Sequence, residues 1–310
     1  MTTALVEARG LTVRIPTRAG TVHAVSDIDL RLDAGHVHAL VGESGCGKSI
    51  IAATLCGLLP ATATATGTVT LSDGDAVPTE LVGTRENQWR RLRGRRIALV
   101  PQTAATFLTP VRTVGDQLTE TLRHLRSHHT VTSLLIRVGL PDAVAALYPH
   151  QLSGGMAQRA AIAFALAGDP AVIVADEPTS NLDPQLTSHV LDLLDDCAHT
   201  GAAVLLITHD LAALPTHADR LSVMHSGRIV ETGPTTAVLD NPGHPYTRAL
   251  LAALPEHGLS PPPEMPPELT SLPHYRVTHA NCPVSLLSGA PTSLEYHGGR
   301  VIRRLIGAPR

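Results

Sequence analysis

A chain of 310 residues, 43% hydrophobic and 16% charged, can bury a large core and carry one sizeable domain with an appendage. Its formal net charge of -3 gives no global attraction to nucleic acid or anionic lipid, so a polyanion partner would need a local basic patch. No run approaches the roughly 18 apolar residues of a transmembrane helix, residues 1–10 lack a signal-peptide pattern, and Cys46, Cys56, Cys197 and Cys282 form no C-x-x-C pair, which argues against a disulfide framework or zinc finger and fits a reducing cytoplasm.

In chain order, Leu11 to Ile15 and Val22 to Leu32 alternate as half-buried strands do, and His38 to Val41 predicts a fully buried one. That strand runs into GESGCGKS and then SIIAATLCGLL, whose alanines and apolar spacing predict a helix. Strand, glycine loop and helix together make a phosphate-binding context. Backbone N–H groups of Gly42, Glu43, Ser44, Gly45, Cys46 and Gly47 can turn inward on phosphate oxygens, aided by the positive end of the helix. Lys48 would reach the β and γ phosphates, and the Ser49 hydroxyl suits Mg²⁺. Cys46 reads as filler rather than an activated thiol. The loop alone indicates nucleotide binding and leaves the reaction open.

Further along, the basic stretch from Trp89 to Arg96 carries one aromatic among its arginines and reads as a solvated helix rather than a nucleic-acid surface. Arg95 to Gln102, Ala171 to Pro178 and Ala202 to Asp210 contain short β-branched strands, and helical stretches between Thr103 and Gly168 suggest an inserted helical subdomain. Among seventeen histidines, only His124, His128 and His129 have a spacing that could place two ligands on one helix face, and they too read as a solvated helix. The proline-rich segment after Pro255 reads as an extended linker, followed by a short, weakly patterned tail.

Leu152 to Met156 reads LSGGM, placing a serine and two glycines at the start of a helix, a second anion site of the same kind as the first. Five apolar residues then lead into Asp176 and Glu177, a position at the sheet's C-terminal edge where ligands bind. These motifs, in this order, resemble the ABC-type ATPases. The resemblance implies an α/β fold: a P-loop NTPase core of ABC type with an antiparallel β subdomain, an inserted α-helical subdomain and a short C-terminal extension. It places the ATP-binding core at residues 1–102 and 166–240, the helical subdomain at 103–165 and the extension at 241–310.

The same resemblance assigns roles. Ser153, Gly154, Gly155 and Met156 would close over ATP held by another subunit's phosphate loop. Asp176 would hold Mg²⁺, with Ser49 and Gln102, while Glu177 orients the attacking water. His209 matches the switch histidine at the γ-phosphate, and Asp183 ends a loop that crosses to the partner, in which Asn181 stands where relatives often have alanine. The family's adenine-stacking aromatic is absent, and Ile15 would pack in its place.

Residues 101–118 and the segment around His244-Pro245-Tyr246 resemble the ATPases of peptide and nickel importers. Relatives there often carry a cysteine-rich region for an iron–sulfur cluster, whereas this tail has only Cys282, so no cluster is expected. The implied protein hydrolyses ATP to drive uptake of peptides or nickel or metal-chelate substrates. Its partners would be two transmembrane permease subunits, a second and paralogous ATPase, and an extracytoplasmic substrate-binding protein, placing it at the cytoplasmic face of the membrane. An exporter ATPase, or a soluble non-transport ABC ATPase, is the alternative.

Overall fold

The computed structural model describes residues 3–72, 77–180, 182–254, 292–297 and 299–305. Two long strands, β1 (Ala4–Thr17) and β2 (Gly20–Asp33), pair antiparallel with Leu11 opposite Ile28. Then come β3 (Val37–Val41), α1 (Lys48–Leu55), β4 (Thr64–Leu71) and β5 (Thr79–Glu80). The order β2-β1-β4-β5 makes a four-stranded antiparallel sheet. Next are α2 (Glu86–Leu92), β6 (Ile97–Val100), α3 (Ala104–Phe107), α4 (Val114–Leu125) and α5 (Val131–Arg137). They lead to α6 (Gly154–Leu166), β7 (Val172–Asp176), α7 (Pro184–His199), β8 (Ala203–Ile207) and α8 (Leu214–His217). The chain continues through β9 (Arg220–His225), β10 (Arg228–Pro234), α9 (Thr235–Asp240), α10 (Pro245–Ala252), β11 (Thr292–His297) and β12 (Arg300–Leu305).

The second sheet has the order β11-β12-β10-β9-β3-β8-β7-β6, and its strands from β9 to β6 run parallel. Every residue of β3, β7 and β8 is buried, because helices and the first sheet cover both faces; this explains their unbroken apolar runs. Register decides where the motifs end. Leu40 and Asp176 both lie level with Ile207, so the segments after β3, β7 and β8 leave the sheet side by side. One apolar cluster joins the antiparallel sheet to α1 and the near face of the large sheet, and another packs α6 and α7 on the far face.

Three sequence expectations change. Helix α4 stops at Leu125, where Arg126 takes a left-handed φ of 53°, so His128 and His129 lie beyond the helix and share no face with His124. His129 Nε2 instead lies 2.9 Å from Asp169 Oδ1. The basic stretch is not one solvated helix either. Trp89 is buried against Gly57, where a Cβ would sit 2.2 Å from the indole, and Arg93 Nε donates to Cys56 O at 2.9 Å. The tail also departs from its weak patterning. β11 and β12 form a hairpin that extends the large sheet, with Ile302 opposite Glu231. The linker after Pro255, Asn181 and Cys282 lie outside the described residues.

Candidate active site

The phosphate loop leaves β3 at Gly42 and enters α1 at Lys48. Two of its glycines are compelled by close approach: a Cβ on Gly42 or Gly47 would lie 2.1 Å from the carbonyl oxygen of Met224 or Ala24. Gly45, at φ 80°, needs the left-handed conformation. Lys48 is 6% exposed, and its Nζ donates to Gly42 O at 2.7 Å and Glu43 O at 2.8 Å. Its ammonium is therefore fixed against the loop while Ser44, Gly45 and Ser49 face solvent. Burial pushes the Cys46 thiol up, only partly opposed by nearby Lys48, which fits the filler role.

At the end of β7, with β8 between it and β3, Asp176 is 8% exposed. Burial raises its carboxyl pKa, opposed by a hydrogen bond from Ser49. Its Oδ1 has no hydrogen-bond partner among the described residues. Glu177 follows at φ 48°, an uncommon conformation for this residue type that costs on the order of 1–3 kcal/mol. Its N–H donates to Ile207 O at 2.8 Å, which carries the β7–β8 ladder one bond past Asp176. Glu177 Oε2 accepts Gln102 Nε2 at 2.9 Å and lies 3.6 Å from His209 Nδ1. Three residues from separate motifs thus meet at one carboxylate.

The LSGGM segment is built differently. Ser153 caps α6 by accepting the Met156 N–H at 3.2 Å, so that serine, Gly154 and Gly155 begin the helix. A Cβ on Gly154 would meet nothing within 4 Å, whereas one on Gly155 would lie 3.1 Å from Leu182 Cδ2. Asp183 caps α7, accepting the Leu186 N–H at 3.0 Å. Among the described residues, the side-chain bonds of Ser153 and Asp183 stay within their own helix starts. Ile15 pairs with Val22 and packs, partly buried, on the apolar cluster that holds Cys46.

Two contributors escaped the sequence reading. Gln158 Nε2 donates to Pro101 O at 3.2 Å, tying α6 to the residue before Gln102; the sequence offered it only as part of the LSGGM neighbourhood. Tyr246 accepts the Glu43 N–H at 3.3 Å, although its His-Pro-Tyr segment reads only as a branch marker.

A glycine loop on a helix start beside an acidic strand end, with a second anion site on an inserted helix, defines an ATP-binding cassette. Residues 25–180 match the ABC transporter family model, and the chain belongs to that family as its ATP-binding, ATP-hydrolysing component. A dimeric ATP-binding cassette in a post-hydrolysis state bound to ADP and Pi shares the fold at TM-score 0.65 and 24% identity, over 74% of this chain and 98% of that one. A second dimeric bacterial ABC transporter cassette gives TM-score 0.64 at 25% identity, over 74% and 98%.

Within the family, residues 230–283 match the oligopeptide/dipeptide transporter C-terminal region, which places the chain in that branch. It is 38% identical to a putative peptide import ATP-binding protein of Brucella ovis, over 96% of this chain and 97% of the relative. A dipeptide transport ATP-binding protein of Bacillus subtilis is 38% identical over 90% and 87%, and a probable D,D-dipeptide transport ATP-binding protein of Escherichia coli 38% over 88% and 87%. Among the described residues no helix is long and apolar enough to cross a membrane.

Proposed function

We propose that this chain energises peptide uptake by hydrolysing ATP sandwiched between two nucleotide-binding subunits. The meeting of Gln102 and His209 on Glu177 carries the chemical part of the reading. Near-full-length similarity to a peptide import ATP-binding protein supports the substrate class. Glu177 is the group that accepts a proton from water and orients it toward the γ-phosphate, with Gln102 and His209 holding the carboxylate. Lys48 and the loop N–H groups, from Gly42 to Ser49, bind the phosphates. Ser153 to Met156 and Asp183 serve the partner's nucleotide, and Ile15 offers an apolar contact for adenine.

The unpaired Asp176 Oδ1 and the Ser49 hydroxyl are hard oxygen donors that fit Mg²⁺, with Gln102 nearby. When bound there, Mg²⁺ would neutralise phosphate charge. Residues 103–165 act as the helical subdomain on the core of 1–102 and 166–240, with 241–310 as the extension. A cleft of about 920 Å³ lined by Leu58, Pro101, Phe107, Thr109, Arg112 and Phe164 opens beside the Gln102 segment. Phe107 is half exposed there, its ring edge-on to Phe164 at 5.8 Å. This cleft, apolar at Leu58, Phe107 and Phe164 and basic at Arg90, Arg112 and Arg123, suits a segment of a transmembrane permease subunit, so the chain would sit at the cytoplasmic face of the membrane.

The test is reconstitution with two permease subunits, the paralogous ATPase and the extracytoplasmic binding protein. Peptide presented by that binding protein should stimulate ATP hydrolysis. Stimulation by nickel or a metal chelate alone would overturn the peptide reading, and stimulation by a lumenal solute without any binding protein would favour an exporter.

A further inference from the structure

The phosphate loop is gripped from two sides. Its own sheet holds one side: Gly227 N donates to Cys46 O at 3.0 Å in the β9–β10 turn. The other grip comes from the C-terminal extension, where the Tyr246 hydroxyl accepts the backbone N–H of Glu43 at 3.3 Å. Tyr246 is 2% exposed, and its ring centre lies 4.0 Å from that of His225 at the end of β9. Burial pushes the phenol well above its usual range, so the oxygen stays neutral and protonated at any working pH.

What holds Tyr246 in place is the start of α10. His244 Nδ1 accepts the Tyr246 N–H at 3.1 Å, and Pro245 opens the helix. Behind them Glu231 of β10 is fully buried and accepts the N–H groups of Gly243 and His244, each at 2.9 Å. Its Oε1 also pairs with Arg300 of β12. A side chain at Gly243 would put a Cβ 2.3 Å from Ile302 Cδ1, so the segment is threaded between β10 and the C-terminal hairpin. The His244-Pro245-Tyr246 segment is therefore a buried strut, braced at one end by the hairpin and touching the phosphate loop at the other.

We propose that Tyr246 is a positioning residue for the phosphate loop. By holding the Glu43 amide, it fixes the loop's entry, so the N–H groups that follow already face inward when ATP arrives. A loop with three glycines has much backbone freedom to lose, and a bond that restricts it beforehand lowers that loss on binding. Among the described residues Tyr246 bonds to Glu43 and stacks on His225, away from Gln102, Glu177 and His209, so its effect falls on affinity rather than on the chemical step.

The test is Tyr246→Phe in the full chain, which keeps the ring against His225 and removes only the hydroxyl. The Kd of a fluorescent ATP analogue, and the KM of the assembled complex, should rise by about three- to tenfold with kcat within about twofold. The melting temperature of the nucleotide-free chain should move by no more than about 2 °C. Unchanged Kd and KM overturn the proposal, as does a fall in kcat at unchanged KM. A lower melting temperature with unaltered ATP affinity makes Tyr246 a packing residue only, and also overturns it.

If the variant does not fold, amide hydrogen exchange on the unmutated, nucleotide-free chain decides. Glu43 should be protected at least about tenfold more than Gly45, and equal exchange sinks the idea. The inference rests on the phosphate loop being the ATP cradle, and Lys48→Ala separates the two failures. If Lys48→Ala leaves ATP affinity intact, the cradle reading fails; if it abolishes binding while Tyr246→Phe is silent, only the positioning role fails.

Discussion

The phosphate loop and the LSGGM loop are anion sites of one physical kind, small residues turning into a helix start, yet they are finished differently. At the first, a Cβ on Gly42 or Gly47 would strike the chain's own backbone at 2.1 Å, and Lys48 is bonded to loop carbonyls. At the second, among the described residues, Ser153 bonds only within its own turn, and nothing lies within 4 Å of a Cβ on Gly154. Glycine at Gly42 and Gly47 is thus demanded by the fold of this chain. At Gly154 the fold demands nothing, which leaves a bare helix start for a ligand supplied from outside. On the proposed function, one region carries the machinery of hydrolysis, and the other is half of a site completed by another subunit.

The sharpest way to separate the regions is to disable each alone. Glu177→Gln should lower turnover of the assembled complex by about a thousandfold, because the group that takes the proton from water is gone. ATP affinity should hold, since phosphate contacts remain. Hydrolysis at the unmutated rate would remove Glu177 from its assigned role. Gly154→Asp should lower turnover of the assembled complex on the order of a hundredfold by placing a negative group where phosphate is to sit. Binding of ATP by the isolated chain should be untouched if, as proposed, this glycine serves the other subunit's nucleotide. Loss of ATP binding in the isolated variant would break the division between the regions.

How much of this was readable beforehand follows the same line. Local motifs are visible in sequence when the chemistry and its backbone demand fall in one short segment, as at Gly42 to Ser49 and Leu152 to Met156. The level strand ends that bring Gln102 and His209 to Glu177 follow from register; the family resemblance assigned all three to one ATP site, but their meeting at the Glu177 carboxylate came only from the structure. The C-terminal hairpin was hidden because its buried positions mix apolar Ile302 with arginines. Arg303 is buried, donating from Nε to Ile229 O at 3.2 Å, and Arg300 is spent on Glu231, so no hydrophobic alternation betrays the strand. Trp89 was misplaced for a related reason: arginines surround it in sequence, while its packing partner, Gly57, lies across the fold.

The floor of the first region also titrates. His38 on β3, the strand that feeds the phosphate loop, is 5% exposed, with Nε2 2.8 Å from Ser222 Oγ and Nδ1 3.1 Å from Arg31 O. Burial lowers its pKa from 6.5 to about 4, with Arg220 adding to the shift. A depressed folded-state value means its stabilising contribution is complete above pH 6.5 and drains away as pH falls through about 4. The full loss is about 3 kcal/mol. Denaturant midpoints should therefore drop over that window, and His38→Gln should flatten the drop; parallel curves would exclude His38 as the cause. Amide exchange in residues 38–49 should accelerate more on acidification than in residues 153–166.

The smallest effect separates the regions by sign. With its pKa raised by burial above the ordinary 3.8, ionised Asp176 destabilises the folded chain at neutral pH. Whatever stability the protonated form contributes is full below that value and lost as pH rises through the folded one. Asp176→Asn removes this burden and should raise the melting temperature of the nucleotide-free chain by about 2 °C while abolishing hydrolysis, a trade common where function requires a strained charge. Ser153→Ala removes an ordinary helix cap, a loss of about 1 kcal/mol, and should lower the melting temperature by about 2 °C. Melts of both variants in a chelator decide the matter. Were Asp176→Asn to melt below the unmutated chain, its carboxylate would be a structural partner like the Ser153 hydroxyl, and the electrostatic contrast between the two anion sites would disappear.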